Sequence, residues 1–249
     1  MRAGFLLGES IQMHRRSKLD PADAESYRLL DLCLTSPAIL ITPDYRLLPE
    51  SNAAEILADL EDFWVWLHNT LPVLTAAWHA RPDLSRLACS GTSAGGYLAV
   101  QSSLLFPELS QIKLLISIAG SLNTDIAHYR IPGPKLILGK RPPPPHKAES
   151  IIRSYVKNIK PGIVRTSGDA VEMWEFLTCV LQQAYLPRWL GMKGNDRVDV
   201  MKNLEKAESI PPIWLVQGDR DSVVSGPGPS TPVRKSRDKA IRNTNCAEI

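Results

Sequence analysis

Cysteine is scarce and unclustered. Cys33, Cys89, Cys179 and Cys246 form no C-x-x-C pair, which argues against a zinc site and a disulfide framework and makes reduced thiols in a cytoplasmic setting the expectation. Long apolar runs are missing as well. No stretch approaches the length of a membrane span, and the opening Met1-Arg2-Ala3-Gly4-Phe5-Leu6-Leu7-Gly8 is too short an apolar run for a secretory signal. There is no G-x-x-x-x-G-K-[ST] loop, no G-x-G-x-x-G fingerprint and no His/Cys ligand set, so no nucleotide, metal or other cofactor is expected. Charge of one sign is in excess only locally. Of a net charge of +3, residues 225–249 carry all, through Arg234, Lys235, Arg237, Lys239 and Arg242 against Asp238 and Glu248. The rest is balanced, so neither a nucleic-acid nor a membrane partner is implied. Histidine is thin too: His14, His68, His79, His128 and His146 are all there are, and none follows residue 146.

What is present is the pattern of a soluble α/β protein. The 249 residues, 44% hydrophobic, suit one core with a small cap. Tyr27–Thr35 is apolar at helical spacing. Ala38–Thr42 is a short continuous apolar run, as expected of a strand buried on both faces. Ala53–Leu71 repeats Ile56, Leu57, Leu60, Phe63, Trp64 and Leu67 at helical spacing, Leu84–Ser90 and Ile112–Ala119 read as further strands, and Ile213–Val216 as another. Strands alternating with helices imply a mainly parallel sheet with right-handed crossovers.

Two regions break the alternation. Lys140–His146 contains Pro142 to Pro145 and is expected to be an extended loop. Beyond it, 148–204 reads as several helices, including Val171–Ala184. The resulting organisation is a core of residues 1–139 and 208–224, a proline loop and helical cap over 140–207, and a basic Gly/Pro/Ser-rich tail over 225–249, expected to be disordered.

The chemistry centres on Gly91-Thr92-Ser93-Ala94-Gly95-Gly96, a G-x-S-x-G pattern between an apolar strand-like run and the helix-like run Tyr97–Leu105. That strand–turn–helix context is what a nucleophile elbow needs. Small residues permit the tight turn that lifts the serine hydroxyl, and the helix N-terminus favours a developing negative charge. A bland reading of Ser93 is a small residue at a tight turn; for Asp219 and Asp221 it is a turn residue after a strand.

Three further segments agree with the elbow. Asp44-Tyr45-Arg46-Leu47-Leu48-Pro49-Glu50 closely resembles the D-Y-R-L-x-P-E signature of the hormone-sensitive-lipase-like esterases, the fold-3 type of α/β-hydrolase. Its reading is mainly structural, with Arg46 and Glu50 pinning the turn. Ser93 lies where that family has G-D-S-A-G-G, with Thr92 in place of Asp. Gly218 to Asp221 resembles the family's G-x-x-D leading to the catalytic acid. Met1 to Gly8 overlays H-G-G-G-F-x-x-G, with Met1, Arg2 and Ala3 on the His and two glycines. The resemblance covers roughly residues 1 to 224 by motif order.

The resemblance implies an α/β-hydrolase fold with a helical cap and a sheet lacking strands at both chain ends. It implies acyl transfer: Ser93 as nucleophile, Asp221 as acid in preference to Asp219, and oxyanion N–H groups from Ala94, Ala3 and Gly4. Small esters, lactones or thioesters are the implied substrates, with secondary metabolism as a setting. The family's histidine follows the acid in chain order, and no histidine stands there. The alternatives are a catalytically degenerate homologue that acts by binding, or an inactive truncated product.

Overall fold

The computed structural model describes residues 2–7, 31–36, 38–78, 81–168, 172–218, 220–224 and 241–246, with residues 2–7 and 241–246 described as backbone. Among these, six strands form one sheet: β1 (Arg2–Leu7), β2 (Ala38–Ile41), β3 (Arg81–Thr92), β4 (Leu114–Ile118), β5 (Ile213–Gly218) and β6 (Ile241–Cys246). Their order is β2-β1-β3-β4-β5-β6. Every neighbouring pair is parallel, the pattern that crossover connections require.

Helix α1 (Ala53–Asn69) starts where the sequence dictates. Asn52 accepts from the Glu55 N–H at 3.0 Å and the Glu55 carboxylate takes the Asn52 N–H at 2.8 Å, a reciprocal cap. Its buried stripe, Ile56, Leu57, Leu60, Trp64 and Leu67, packs into the main core with Leu87, Cys89, Leu98 and Leu115. Helix α2 (Ala94–Leu105) follows β3 directly and lies against β3 and β4, with α1 beside it. It is buried nearly throughout, from Gly95 to Ser103, as befits a helix with no polar stripe.

The apolar runs of the sheet suggested burial on both faces. The structure instead alternates. Leu87, Cys89, Leu115 and Ile213 face the core, whereas Leu114 and Trp214 are 40% and 46% exposed. Among the described residues, helix packing therefore covers one face more fully than the other.

The region between β4 and β5 holds α3 (Ala127–Arg130), α4 (Pro145–Asn158), α5 (Trp174–Gln182) and α6 (Val200–Lys206). The proline loop is shorter than expected, since the helix begins at Pro145 and takes in His146. Proline is well suited to that first position, where its missing N–H costs no hydrogen bond and its φ is already helical. Ala148 and Ile152 of α4 and Cys179 and Val180 of α5 make a small second core. Val198 and Val200 belong to the main core instead. Tyr97 donates to the Val198 carbonyl at 2.9 Å, and Gln101, wholly buried, bonds the Arg197 carbonyl at 3.0 Å and accepts from Asn203 at 2.9 Å.

Of the tail expected to be disordered, residues 225–240 and 247–249 lie outside the described residues. Residues 241–246 form β6, paired with β5 from Ile213↔Ile241 to Gly218↔Cys246. Strand pairing is made by backbone groups, so a stretch with no apolar alternation can still join a sheet edge. Among the described residues no helix is long and apolar enough to cross a membrane.

Candidate active site

β3 ends at Thr92 and α2 begins at Ala94, so the whole turn falls on Ser93. Its backbone sits at φ 54°, ψ −116°, a conformation that residues with a Cβ rarely adopt and that stores strain. Three backbone hydrogen bonds hold it there. The Ser93 N–H donates to the Ile118 carbonyl at 2.9 Å, and the Ser93 carbonyl accepts from Tyr97 and from Ser121, both at 3.2 Å. The glycines are a steric requirement. A Cβ on Gly91 would lie 2.3 Å from the Gly95 carbonyl carbon and oxygen, and one on Gly96 would lie 2.8 Å from Gly120 Cα. Strand and helix thus touch backbone to backbone at the elbow.

Ala94 is the first residue of α2 and is exposed. N–H groups of a helix's first turn have no intrahelical acceptor, so they are free to meet an oxyanion. Ala3 and Gly4 are placed elsewhere. They lie inside β1, where Ala3 is opposite Pro82, Gly4 opposite Ala38, and Leu7 opposite Cys89. At about 3.3 Å per residue, that register sets Gly4 some seven residues along the strand direction from Ser93, on the order of 20 Å. The structure therefore does not bring Ala3 and Gly4 to the elbow. The overlay on H-G-G-G failed because six residues of this stretch extend as strand rather than turning as a loop.

Asp221 stands beyond the same edge of the sheet. The register Thr92↔Ile118 and Ile118↔Val216 puts the carboxyl ends of β3, β4 and β5 side by side, the edge where parallel sheets place their sites. The Asp221 N–H turns back to the Gly218 carbonyl at 3.2 Å. Its Oδ1 accepts from Val223 N and Val224 N, both at 2.9 Å, and its Oδ2 accepts from the Gln217 amide at 3.0 Å. Gln217 also donates to the Val224 carbonyl at 2.9 Å. The role of Gln217 was not visible in the sequence, although a polar side chain four residues before the acid was a signal. Asp219 lies outside the described residues.

Of the histidines, His14 and His79 lie outside the described residues. His68 ends α1 with a buried Nε2 that has no hydrogen-bond partner, and His146 lies in the first turn of α4. His128 is the one set against the acid loop. Its Nε2 is 3.2 Å from the Val223 carbonyl, and its ring lies edge-on to Tyr129 at 4.8 Å. Burial lowers its pKa, partly offset by the Val223 bond and by Asp221. Its neutral form is therefore favoured near pH 7.

Arg46 and Glu50 pin the D-Y-R-L-x-P-E turn to different parts of the molecule. Arg46 clasps Asp59 of α1 at 2.7 Å and donates to the Glu55 carbonyl at 2.8 Å. Glu50 turns the other way and takes Arg165 at 2.9 Å and the Tyr155 hydroxyl at 2.5 Å. Arg165 also reaches the Leu48 carbonyl at 2.7 Å, and its own carbonyl accepts from Leu47 N at 2.8 Å. One face of the motif thus holds the core helix, and the other holds the segment beyond α4.

A family model described as alpha/beta hydrolase fold matches residues 19–160. The chain belongs to that family. Two relatives are similar over most of the chain. Probable carboxylesterase M8 of Phoma sp. is 46% identical over 198 residues, 79% of this chain and 61% of that protein. Probable carboxylesterase clz11 of Cochliobolus lunatus is 48% identical over 198 residues, 79% of this chain and 88% of that protein. The chain thus spans less than two thirds of the Phoma relative's length and most of the other's. Among solved structures, an esterase of Pyrobaculum calidifontis matches with a TM-score of 0.56 at 14% identity, over 98% of this chain and 66% of that one. The carboxylesterase EstE1 from a metagenomic library matches with a TM-score of 0.55 at 16% identity, over 99% and 70%. At such identities the two structures speak for the fold alone.

Proposed function

We propose that the chain is a serine hydrolase of the carboxylic-ester type, acting on small esters, lactones or thioesters. Secondary metabolism is the setting we favour, with residues 140–207 as the cap. The observation that carries the reading is the strained turn at Ser93, φ 54°, held by three backbone hydrogen bonds and by glycines that tolerate no Cβ. Nothing in packing alone calls for a serine there, since glycine would adopt the turn without strain. The two carboxylesterase relatives at 46% and 48% identity support the same reading.

In this reading Ser93 Oγ attacks the carbonyl carbon and its proton passes to a base. The carbonyl oxygen becomes an oxyanion, met by the Ala94 N–H at the head of α2. The alcohol, or thiol for a thioester, then leaves with a proton, and water releases the acyl group from Ser93 by the same steps in reverse order. Asp221 is the acid of this site. Its Oδ1 is held by two backbone N–H groups, and Oδ2 keeps a lone pair beyond the Gln217 bond.

A second reading has an observation of its own. Both Asp221 oxygens already have donors from their own loop. That arrangement suits a loop staple in a homologue that binds a ligand without turning it over.

Labelling by a fluorophosphonate probe separates the two. A serine hydrolase is labelled in the native chain and not in Ser93→Ala. Loss of labelling in a folded His128→Gln as well would assign the proton acceptor. A folded native chain that takes no label defeats the hydrolase reading and leaves the binding one.

A further inference from the structure

Beyond the elbow, the structure holds a cleft of about 850 Å³ between α4 and the segment leading into α5. One side is a single face of α4, Ser150, Ile151, Ser154, Tyr155 and Asn158, at the three- and four-residue spacing that lines up one helix surface. Met173 and Phe176 stand opposite, and Glu50 is part of the lining. Ser93 is not.

Glu50 is the unusual member. Its side chain is only 6% exposed. Oε1 is satisfied by Tyr155 and Arg165, but Oε2 is buried without a hydrogen-bond partner. A buried carboxylate oxygen left unpaired is costly, so its presence at a large cleft marks a place built for a donor. Burial pushes the carboxyl up, yet Arg165, Tyr155 and the residue's own backbone N–H outweigh it and hold Glu50 below the usual carboxylate range. An ionised carboxylate only accepts, so the ligand must donate.

Charge selects among donors. The Arg165 guanidinium already neutralises Glu50 at 2.9 Å and would repel a second cation. The rim adds Lys147 and Lys160 against Glu172 and Glu175, two charges of each sign. The uncharged lining is mixed: Ile151, Ile159, Ile163, Met173 and Phe176 are apolar, beside Ser150, Ser154, Tyr155 and Asn158. We propose that this cleft binds an uncharged hydroxyl compound, an alcohol or phenol with an apolar body, whose O–H donates to Glu50 Oε2. The site is separate from Ser93 and does not depend on catalysis there.

The test uses the whole chain with benzyl alcohol and benzyl methyl ether as probes, followed by ligand-observed NMR titration. The two share an aromatic body and differ in the donor. Benzyl alcohol should bind saturably and the ether roughly tenfold more weakly, because only the alcohol meets the buried oxygen. Glu50→Gln should weaken the alcohol about tenfold. Ser154→Trp fills the cleft without touching the Glu50 pair and should abolish binding in a chain with native circular dichroism. It decides the matter if Glu50→Gln does not fold. Equal affinity for the two probes, no saturable binding, or binding unchanged in Ser154→Trp would overturn the proposal.

Discussion

Two turns beyond the carboxyl ends of sheet strands are built by opposite means. The Ser93 elbow is held by what its residues lack. Gly91, Gly95 and Gly96 let strand and helix meet with no side chain between them. The turn after β2 is held by long charged side chains, Arg46 on Asp59 and Glu50 on Arg165 and Tyr155. Steric exclusion between buried backbone atoms admits almost no relaxation, whereas ion pairs with one arginine still partly in water can readjust. The elbow should therefore respond to substitution far more sharply than the pinned turn.

Gly91→Ala is the severest way to sharpen that contrast. Its methyl would lie 2.3 Å from Gly95 backbone atoms, and unfolding by denaturant should show a loss of about 3 kcal/mol or no folded chain. A loss below about 1 kcal/mol would mean that the strand and helix slide apart easily.

Glu50→Gln should come next, with about 2 kcal/mol lost at pH 7, because Arg165 is 22% exposed and only partly rescued by water. The pH dependence gives the sign. Glu50 is held below its ordinary pKa, so its contribution is full above the unfolded carboxylate value and is lost as pH falls through the lower folded value. The gap between native and Glu50→Gln stability should be constant above about pH 5 and close below about pH 4. A gap that widens on acidification would show that the ion pair is not what holds this turn.

Ser93→Gly should have the smallest effect and the opposite sign. Glycine accepts φ 54°, ψ −116° without a Cβ clash, and relief of strain against added chain entropy leaves a gain of about 0.5 kcal/mol in thermal unfolding. A clear loss of stability would mean that the serine is there for packing, and the comparison would break at its functional end.

Much of this was legible in the sequence, for local reasons. The apolar runs at 38–42, 84–90, 112–119 and 213–216 became β2, β3, β4 and β5 within a few residues. The helical spacing over Ala53–Leu71 became α1. Glycine spacing announced the elbow, since no other residue fits there. The misreadings share a cause. Met1 to Gly8 overlays a motif that implies oxyanion N–H groups, but its Phe5-Leu6-Leu7 run pairs with two strands once those strands exist. The sequence pattern of 241–246 gave no strand signal, because the edge of β5 supplies the backbone partners.

The candidate site divides in the same way. Residue types and spacing mark the Ser93 turn, because the glycines within a few residues of it let strand and helix touch, while the bonds from Ile118 and Ser121 that hold it come from the tertiary structure. Which groups hold Asp221, which histidine stands beside its loop, and where Glu50 points were decided only by the tertiary structure. Gln217 and Val223 sit close to Asp221 in sequence, but Glu50 meets Tyr155 and Arg165 across 105 and 115 residues. Hydrogen bonds and ion pairs are short-ranged in space and indifferent to distance along the chain, so only the packing of α4 and its following segment against the turn after β2 chooses them.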